Sequence, residues 1–219
     1  MRRNPGPEDE RTATRPAHFA MLRELQLADF FTLGNAASGM AAVFFAMSFI
    51  AHGHGDHFFA AALMAPIAFV FDMLDGRIAR WRHQHSAFGR ELDSLADIVS
   101  FGVAPAVLAF AAGMRGGWDL MILTYFVCCG VARLARFNVT AEKLSEGGDK
   151  VAYFEGTPIP TSVLLVGVLA LCAWQQRIGT DMLFGGVWVI GPWELHAMSL
   201  LFLLSGTLMV SKTLRIPKF

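Results

Sequence analysis

Six apolar stretches, each of roughly the ~20 residues that a ~30 Å hydrocarbon core demands of a helix, constrain this chain more than any other feature. They run approximately from Phe30 to Ile50, Phe58 to Ala79, Leu92 to Ala112, Leu120 to Phe137, Ile159 to Trp174 and Leu195 to Val210. Hydrocarbon offers no water to backbone amides, so each run is expected to close its hydrogen bonds internally as a helix, and the Gly and Pro residues that interrupt several runs are tolerated there. Composition agrees: 54% of the 219 residues are hydrophobic and 16% charged, too apolar for an ordinary soluble domain. The expected fold is all-α, a polytopic membrane protein with six transmembrane helices.

The ends of the chain read differently. Residues 1–18 are mostly polar, with Pro5, Pro7 and Pro16 among several charges, and are expected to form a disordered cytoplasmic tail rather than a signal peptide. Residues 19–219 are then one membrane-embedded domain. Phe19 to Leu27 mixes apolar and polar positions at helical period, which predicts a short N-terminal interfacial helix. With the N-terminus in the cytoplasm, only Arg115 and Arg177 of the eighteen Lys and Arg residues fall outside. The positive-inside rule therefore puts both termini on the cytoplasmic face of the inner membrane. Formal net charge is zero and no basic block is present, so nucleic acid is not an expected partner. Cys128, Cys129 and Cys172 lie within apolar runs without ligand spacing and read as packing residues.

Four aspartates break the apolar pattern at the seam between the second and third runs. Asp72 and Asp75 are three apart, and Asp93 and Asp97 four apart, so each pair shares a helix face. If the chain reverses between the pairs, all four carboxylates converge. Like charges gathered beside hydrocarbon are strongly unfavourable unless cations neutralise them, and intramembrane acids are functional sites by default. Carboxylates are hard oxygen ligands suited to Mg²⁺, Mn²⁺ or Ca²⁺, ions that also bind phosphate oxygens. Gly76 and Gly89 lack side chains where a substrate would approach backbone, and Arg80 carries a planar fork that grips phosphate. The set is coherent for phosphotransfer. The duller reading is an ion-pair network of these acids with Arg77, Arg80, Arg82 and Arg90.

Asp72-x-x-Asp75-Gly76-x-x-Ala79-Arg80, eight residues, then Gly89-x-x-x-Asp93-x-x-x-Asp97, resembles the signature of the CDP-alcohol phosphotransferases, with all eight motif positions filled. The resemblance implies that Asp72, Asp75 and Asp93 are metal ligands, and that Asp97 lies near the metals and acts as the catalytic base. It implies two divalent ions, Mg²⁺ or Mn²⁺, a six-span layout with a cytoplasmic site, and a homodimer. A CDP-diacylglycerol site would comprise Gly76, Ala79, Arg80 and Gly89, with Thr32, Asn35 and Pro66 near the nucleotide and Arg80 stabilising the departing phosphate.

The runs Asp97-Ile-Val-Ser-Phe-Gly-Val-Ala-Pro-Ala106, Arg133-Leu-Ala-Arg-Phe-Asn138 and Phe154-Glu-Gly-Thr-Pro-Ile-Pro160 are similar to the branch of that family that takes L-serine as acceptor. That branch usually carries Gly-Leu-Pro-x-Pro-Ala in the last motif, and two positions differ here. Arg133 and Arg136, three apart, suit a carboxylate, and Asn138 adds a hydrogen-bonding group. Serine has such a carboxylate; glycerol phosphate, inositol phosphate and choline, the alternative acceptors, do not. Plain positive-inside anchoring explains the two arginines equally simply. The expected reaction moves the phosphatidyl group of CDP-diacylglycerol to L-serine and releases CMP. From another class, a divalent-cation transporter also places acids among membrane helices, though acids confined to one membrane edge do not line a path.

Two other features lie outside this set. His52-Gly-His-Gly-Asp-His57 packs three histidines and an acid into six residues, a candidate metal cluster placed by the topology in a short outer loop. His83 and His85 are expected in the cytoplasmic turn, and Trp118, Trp188 and Trp193 near the outer boundary as interfacial anchors.

Overall fold

A computed structural model describes residues 27–81, 87–145, 153–179, 186–211 and 215–217. The tail, the interfacial helix up to residue 26, and His83 and His85 lie outside the described residues. Helix α1 spans Leu27–His52 and α2 spans Gly55–Trp81; α3 (Ala87–Asp97), a π-helical segment (Ile98–Val103) and α4 (Ala104–Ala112) follow in line. Next come α5 (Gly117–Ser145), strand β1 (Tyr153–Glu155), a 3₁₀ turn (Ile159–Thr161), α6 (Ser162–Trp174), strands β2 (Val187–Ile190) and β3 (Trp193–His196), α7 (Ser199–Val210) and β4 (Arg215–Pro217).

The fold is mostly helical, and among the described residues four helical stretches are long and apolar enough to cross a membrane: Leu27–His52, Gly55–Trp81, Phe88–Ala112 and Gly117–Thr140. The last two apolar runs form shorter helices, Ile159–Trp174 and Ser199–Val210. The sixth run is trimmed because Leu195 and His196 belong to β3, not to a helix. Its hairpin has a local cause: Val187-Trp-Val-Ile190 is rich in β-branched and aromatic residues, and Gly191, at φ +64°, opens a two-residue turn with Pro192 between Ile190 and its partner Trp193. A second antiparallel pair joins β1 to β4. The all-α expectation is thus corrected by two small two-stranded sheets.

Burial follows the logic of a lipid-facing bundle. On α1 the buried residues are Asp29, Thr32, Asn35, Ser38, Gly39, Ala42 and Ala46, and on α2 Phe58, Ala61, Ala62, Ala65, Ala68 and Asp75. Steps of three and four make each set a stripe of mostly small residues, which lets the two helices approach closely along their length. Large apolar side chains point the other way: Phe30, Phe44, Met47, Phe59, Leu63 and Val70 are exposed. A water-soluble domain would reverse that arrangement.

Glycines mark the tightest crossings. A Cβ at Gly39 would lie 2.6 Å from Ser100 Cα, so α1 can cross the π-helical segment only without a side chain there. Gly130 of α5 similarly admits Ile159, whose Cδ1 would sit 2.8 Å from an added Cβ. Ile159 is fully buried. Within the Gly-Thr-Pro-Ile-Pro run, Ile159 therefore anchors the turn before α6 against α5.

Candidate active site

Two facing helices bring the acids together. Asp72 and Asp75 occupy the C-terminal part of α2, and Asp93 and Asp97 the C-terminal half of α3. One carboxylate oxygen from each of Asp72, Asp75 and Asp93 lies within 4.8 Å of the other two. Oxygens on opposite sides of a Mg²⁺ or Ca²⁺ ion are about 4–5 Å apart, so this trio matches the span of one hard cation. Asp93 Oδ1 is buried without a hydrogen-bond partner, an orphaned acceptor of the kind a cation satisfies. Asp97 lies beside the trio, with its carboxyl within hydrogen-bonding reach of that of Asp72.

α1 supplies the polar wall behind these acids. Thr32 Oγ1 donates to Asp75 Oδ2 at 2.9 Å, and Asn35 Nδ2 donates to Asp97 Oδ1 at 3.1 Å. Thr32 and Asn35 each supply one side-chain donor, the Gly76 amide adds a backbone donor to Asp75, and neither carboxylate has all its acceptor positions filled. Asn35 is fully buried and its Oδ1 has no partner, a second orphan aimed into the same region. Its backbone carbonyl accepts from Ser100 Oγ at 2.8 Å, tying α1 to the π-helical segment. That segment begins immediately after Asp97. Single π turns inside α-helices concentrate at functional sites, because the extra residue per turn re-aims side chains. Here it lets α3 present Asp93 and Asp97 to α2 while α4 continues the span.

The remaining expected residues divide. At Gly76 an added Cβ would meet nothing within 4 Å, so the backbone borders open space next to Asp75. Ala79 is half-buried one turn further on, Arg80 is exposed in the last turn of α2, and Gly89 is half-buried in the first turn of α3. Pro66 is exposed and lies nine residues before Asp75, about 14 Å along the helix axis, away from the acids. On α5, Arg133 is half-buried, with its Nε buried and without a partner, and is close enough to Asp97 to interact electrostatically. Arg136 is exposed. Asn138 is buried and already engaged: its Nδ2 donates to Glu91 Oε2 at 3.1 Å and to Ser94 Oγ at 3.0 Å. It clasps α3 to α5 rather than presenting a free amide.

Several contributors were not singled out by the sequence. Ser94, one residue past Asp93, Glu91 and Ser100 form the bonds that orient α3 and α1, and buried Asp29 lies near enough to Asp75 to interact with it. Ser94 and Ser100 are short polar residues three positions either side of Asp97 in an otherwise apolar stretch, a signal that Glu91 and Asp29 do not share.

Comparison with known proteins agrees with this geometry. The sequence profile of the CDP-alcohol phosphatidyltransferase family matches residues 25–205. The chain is 44% identical over 203 residues to the CDP-diacylglycerol–serine O-phosphatidyltransferase of Saccharomyces cerevisiae, covering 92% of this chain and 74% of that one. It is 34% identical over 194 residues to the enzyme of the same name from Helicobacter pylori, covering 86% and 70%. It is also 31% identical over 169 residues to the archaetidylserine synthase of Methanothermobacter thermautotrophicus, covering 76% and 66%. A helical bundle with an acidic cluster between α2 and α3 is thus the frame of a phosphotransferase, and this chain belongs to the CDP-alcohol phosphatidyltransferase family.

Proposed function

We propose that the chain is a CDP-diacylglycerol–serine O-phosphatidyltransferase, carrying the phosphatidyl group from CDP-diacylglycerol to L-serine to give phosphatidylserine and CMP. The observation that carries this reading is the meeting of Asp72, Asp75 and Asp93 within 4.8 Å, with Asp97 beside them and open space at Gly76. The names of the yeast and Helicobacter relatives support serine as the acceptor.

Asp72, Asp75 and Asp93, with Asp97 completing the set, would hold two divalent ions, Mg²⁺ or Mn²⁺. When bound, such ions neutralise the pyrophosphate and stabilise the charge that develops during transfer. Asp97, oriented by Asn35, takes the proton from the serine hydroxyl. The serine oxygen bonds to the phosphorus that bears diacylglycerol as the bond from that phosphorus to the CMP oxygen breaks. Arg80, at the open end of α2, receives the negative charge of the departing CMP, and Gly76, Ala79 and Gly89 leave room for the nucleotide. Thr32 holds Asp75 in place. Arg133, with its unpartnered Nε near Asp97, is assigned to the serine carboxylate. Arg136, exposed two positions before the Asn138 clasp, is given a supporting role at the entrance.

The acyl chains of the lipid substrate would lie along the apolar outer faces of the helices, and the site would face the cytoplasm at the inner membrane, consistent with the distribution of Lys and Arg. Two copies are expected to associate, and the mass of the detergent-solubilised protein tests that. The activity itself is tested with purified protein in detergent, CDP-diacylglycerol, Mg²⁺ or Mn²⁺, and a panel of serine, glycerol phosphate, inositol phosphate and choline. CMP release with serine alone is the expected result. Release with another member of the panel reassigns the acceptor, and release with none removes the reading.

A further inference from the structure

The opposite end of the α1–α2 hairpin carries a second group of metal-binding side chains, which the transferase chemistry leaves unused. His52 closes α1, Gly53 and His54 form the link, and His57 lies in the first turn of α2. Gly53 adopts φ +71°, and the His57 amide donates to the His54 carbonyl at 3.0 Å, so the chain turns tightly enough to gather the three rings. Their centroids are 6.4 Å apart for His52 and His54, 6.2 Å for His52 and His57, and 5.9 Å for His54 and His57. Each ring neighbours both others, which makes a triangle rather than a row. The site lies eighteen residues from Asp75 along α2, about 27 Å, and is chemically distinct from the acids.

One ring is already oriented as a ligand. His52 Nδ1 lies 3.0 Å from the Ser48 carbonyl oxygen, and a carbonyl only accepts, so Nδ1 carries the proton and Nε2 keeps its lone pair. Metal-bound histidines characteristically have their second nitrogen held by such a bond. His54 is exposed and His57 half-exposed beside Phe45, so both can rotate toward His52 Nε2 without disturbing the core. Asp56, exposed in the same turn, offers a carboxylate. Among the described residues only the aspartate trio already has its ligand atoms within the span of one ion, so ligation here requires His54 and His57 to turn toward His52 Nε2.

We propose that His52, His54 and His57 form a site for a borderline divalent cation, Zn²⁺, Cu²⁺ or Ni²⁺, that pins the α1–α2 turn. Imidazole nitrogens favour these ions, whereas the carboxylates at the other end favour Mg²⁺ and Mn²⁺. The test uses untagged protein in detergent with millimolar Mg²⁺ present to occupy the acids. Zn²⁺ is titrated calorimetrically, and Cu²⁺ is followed by electron paramagnetic resonance. One equivalent per chain is expected, with nitrogen couplings in the Cu²⁺ spectrum and a higher melting temperature with Zn²⁺. His52→Gln is expected to weaken binding by at least about tenfold, and the triple H52Q/H54Q/H57Q variant to abolish it. His54→Gln, altering only the link, is the backup if the triple variant does not elute as a folded species. Equal Zn²⁺ affinity in wild type and either variant, or a Cu²⁺ spectrum without nitrogen coupling, overturns the proposal.

Discussion

Among the described residues, acids are buried in two places and are treated in opposite ways. Asp119, at the start of α5, is fully buried and accepts three bonds: from Gly116 N at 3.0 Å, His196 N at 2.9 Å and His196 Nδ1 at 2.6 Å. The chain itself satisfies that carboxylate, and in doing so it docks β3 onto α5. The cluster between α2 and α3 is the reverse case. There the acids face one another: Thr32 donates to Asp75 and Asn35 to Asp97, while Asp93 Oδ1 and Asn35 Oδ1 are left without partners. A carboxylate whose acceptors are filled by its own chain is part of the scaffold; carboxylates that share empty space are arranged for something the chain does not contain.

Substitutions at the two places sharpen this contrast. Asp93→Asn removes a cation ligand and is expected to lower CMP release by about 10⁴-fold or more, since metal-assisted charge stabilisation supplies several kcal/mol. The melting temperature of that variant should hold or rise, because a like charge has gone; a marked fall would make Asp93 structural, as Asp119 is. Asp97→Asn is expected to lower turnover by about 10³-fold while lipid-nucleotide binding, followed by calorimetry, persists. Asp119→Ala should do the opposite of both. Leaving His196 and two backbone amides unpaired costs about 3 kcal/mol, read as a lower melting temperature, with near-normal turnover in the folded fraction. If activity is lost while stability holds, the division between scaffold and site is wrong.

Smaller effects separate the arginines. Arg133→Ala is expected to raise the serine KM by about tenfold with little change in the lipid requirement, and Arg136→Ala by less than about threefold. Equal effects on both substrates would return Arg133 to an anchoring role. Ser94→Ala, which removes one strand of the Asn138 clasp, should reduce kcat only about threefold and stability by about 1 kcal/mol.

The four long helices and the acidic pairs were legible because both rest on short-range rules. Apolar length sets a span, and offsets of three or four set a face. The hairpin at Val187–His196 was misjudged because Leu195 and its neighbours are apolar enough to extend the sixth span, whereas the Gly191-Pro192 turn and the Asp119–His196 contact, across 77 positions, hold them as strand. The roles of Asn35 and Asn138 were hidden for a related reason. Both are amides in apolar helices, and only the packing reveals that one bonds a site carboxylate and the other a neighbouring helix. Arg133 and Arg136 looked equivalent until the rotation of α5 turned one inward.

Local chemistry along the chain was therefore enough to determine a helical membrane protein with eight signature positions and two acidic pairs, since each of those features involves residues fewer than about 30 apart. The tertiary structure alone decided which oxygen atoms meet, which amide holds which acid, and which buried carboxylate is already satisfied. Those outcomes depend on the close approach of α1 at Gly39 to the π-helical segment after Asp97, whose geometry is set by packing between distant elements.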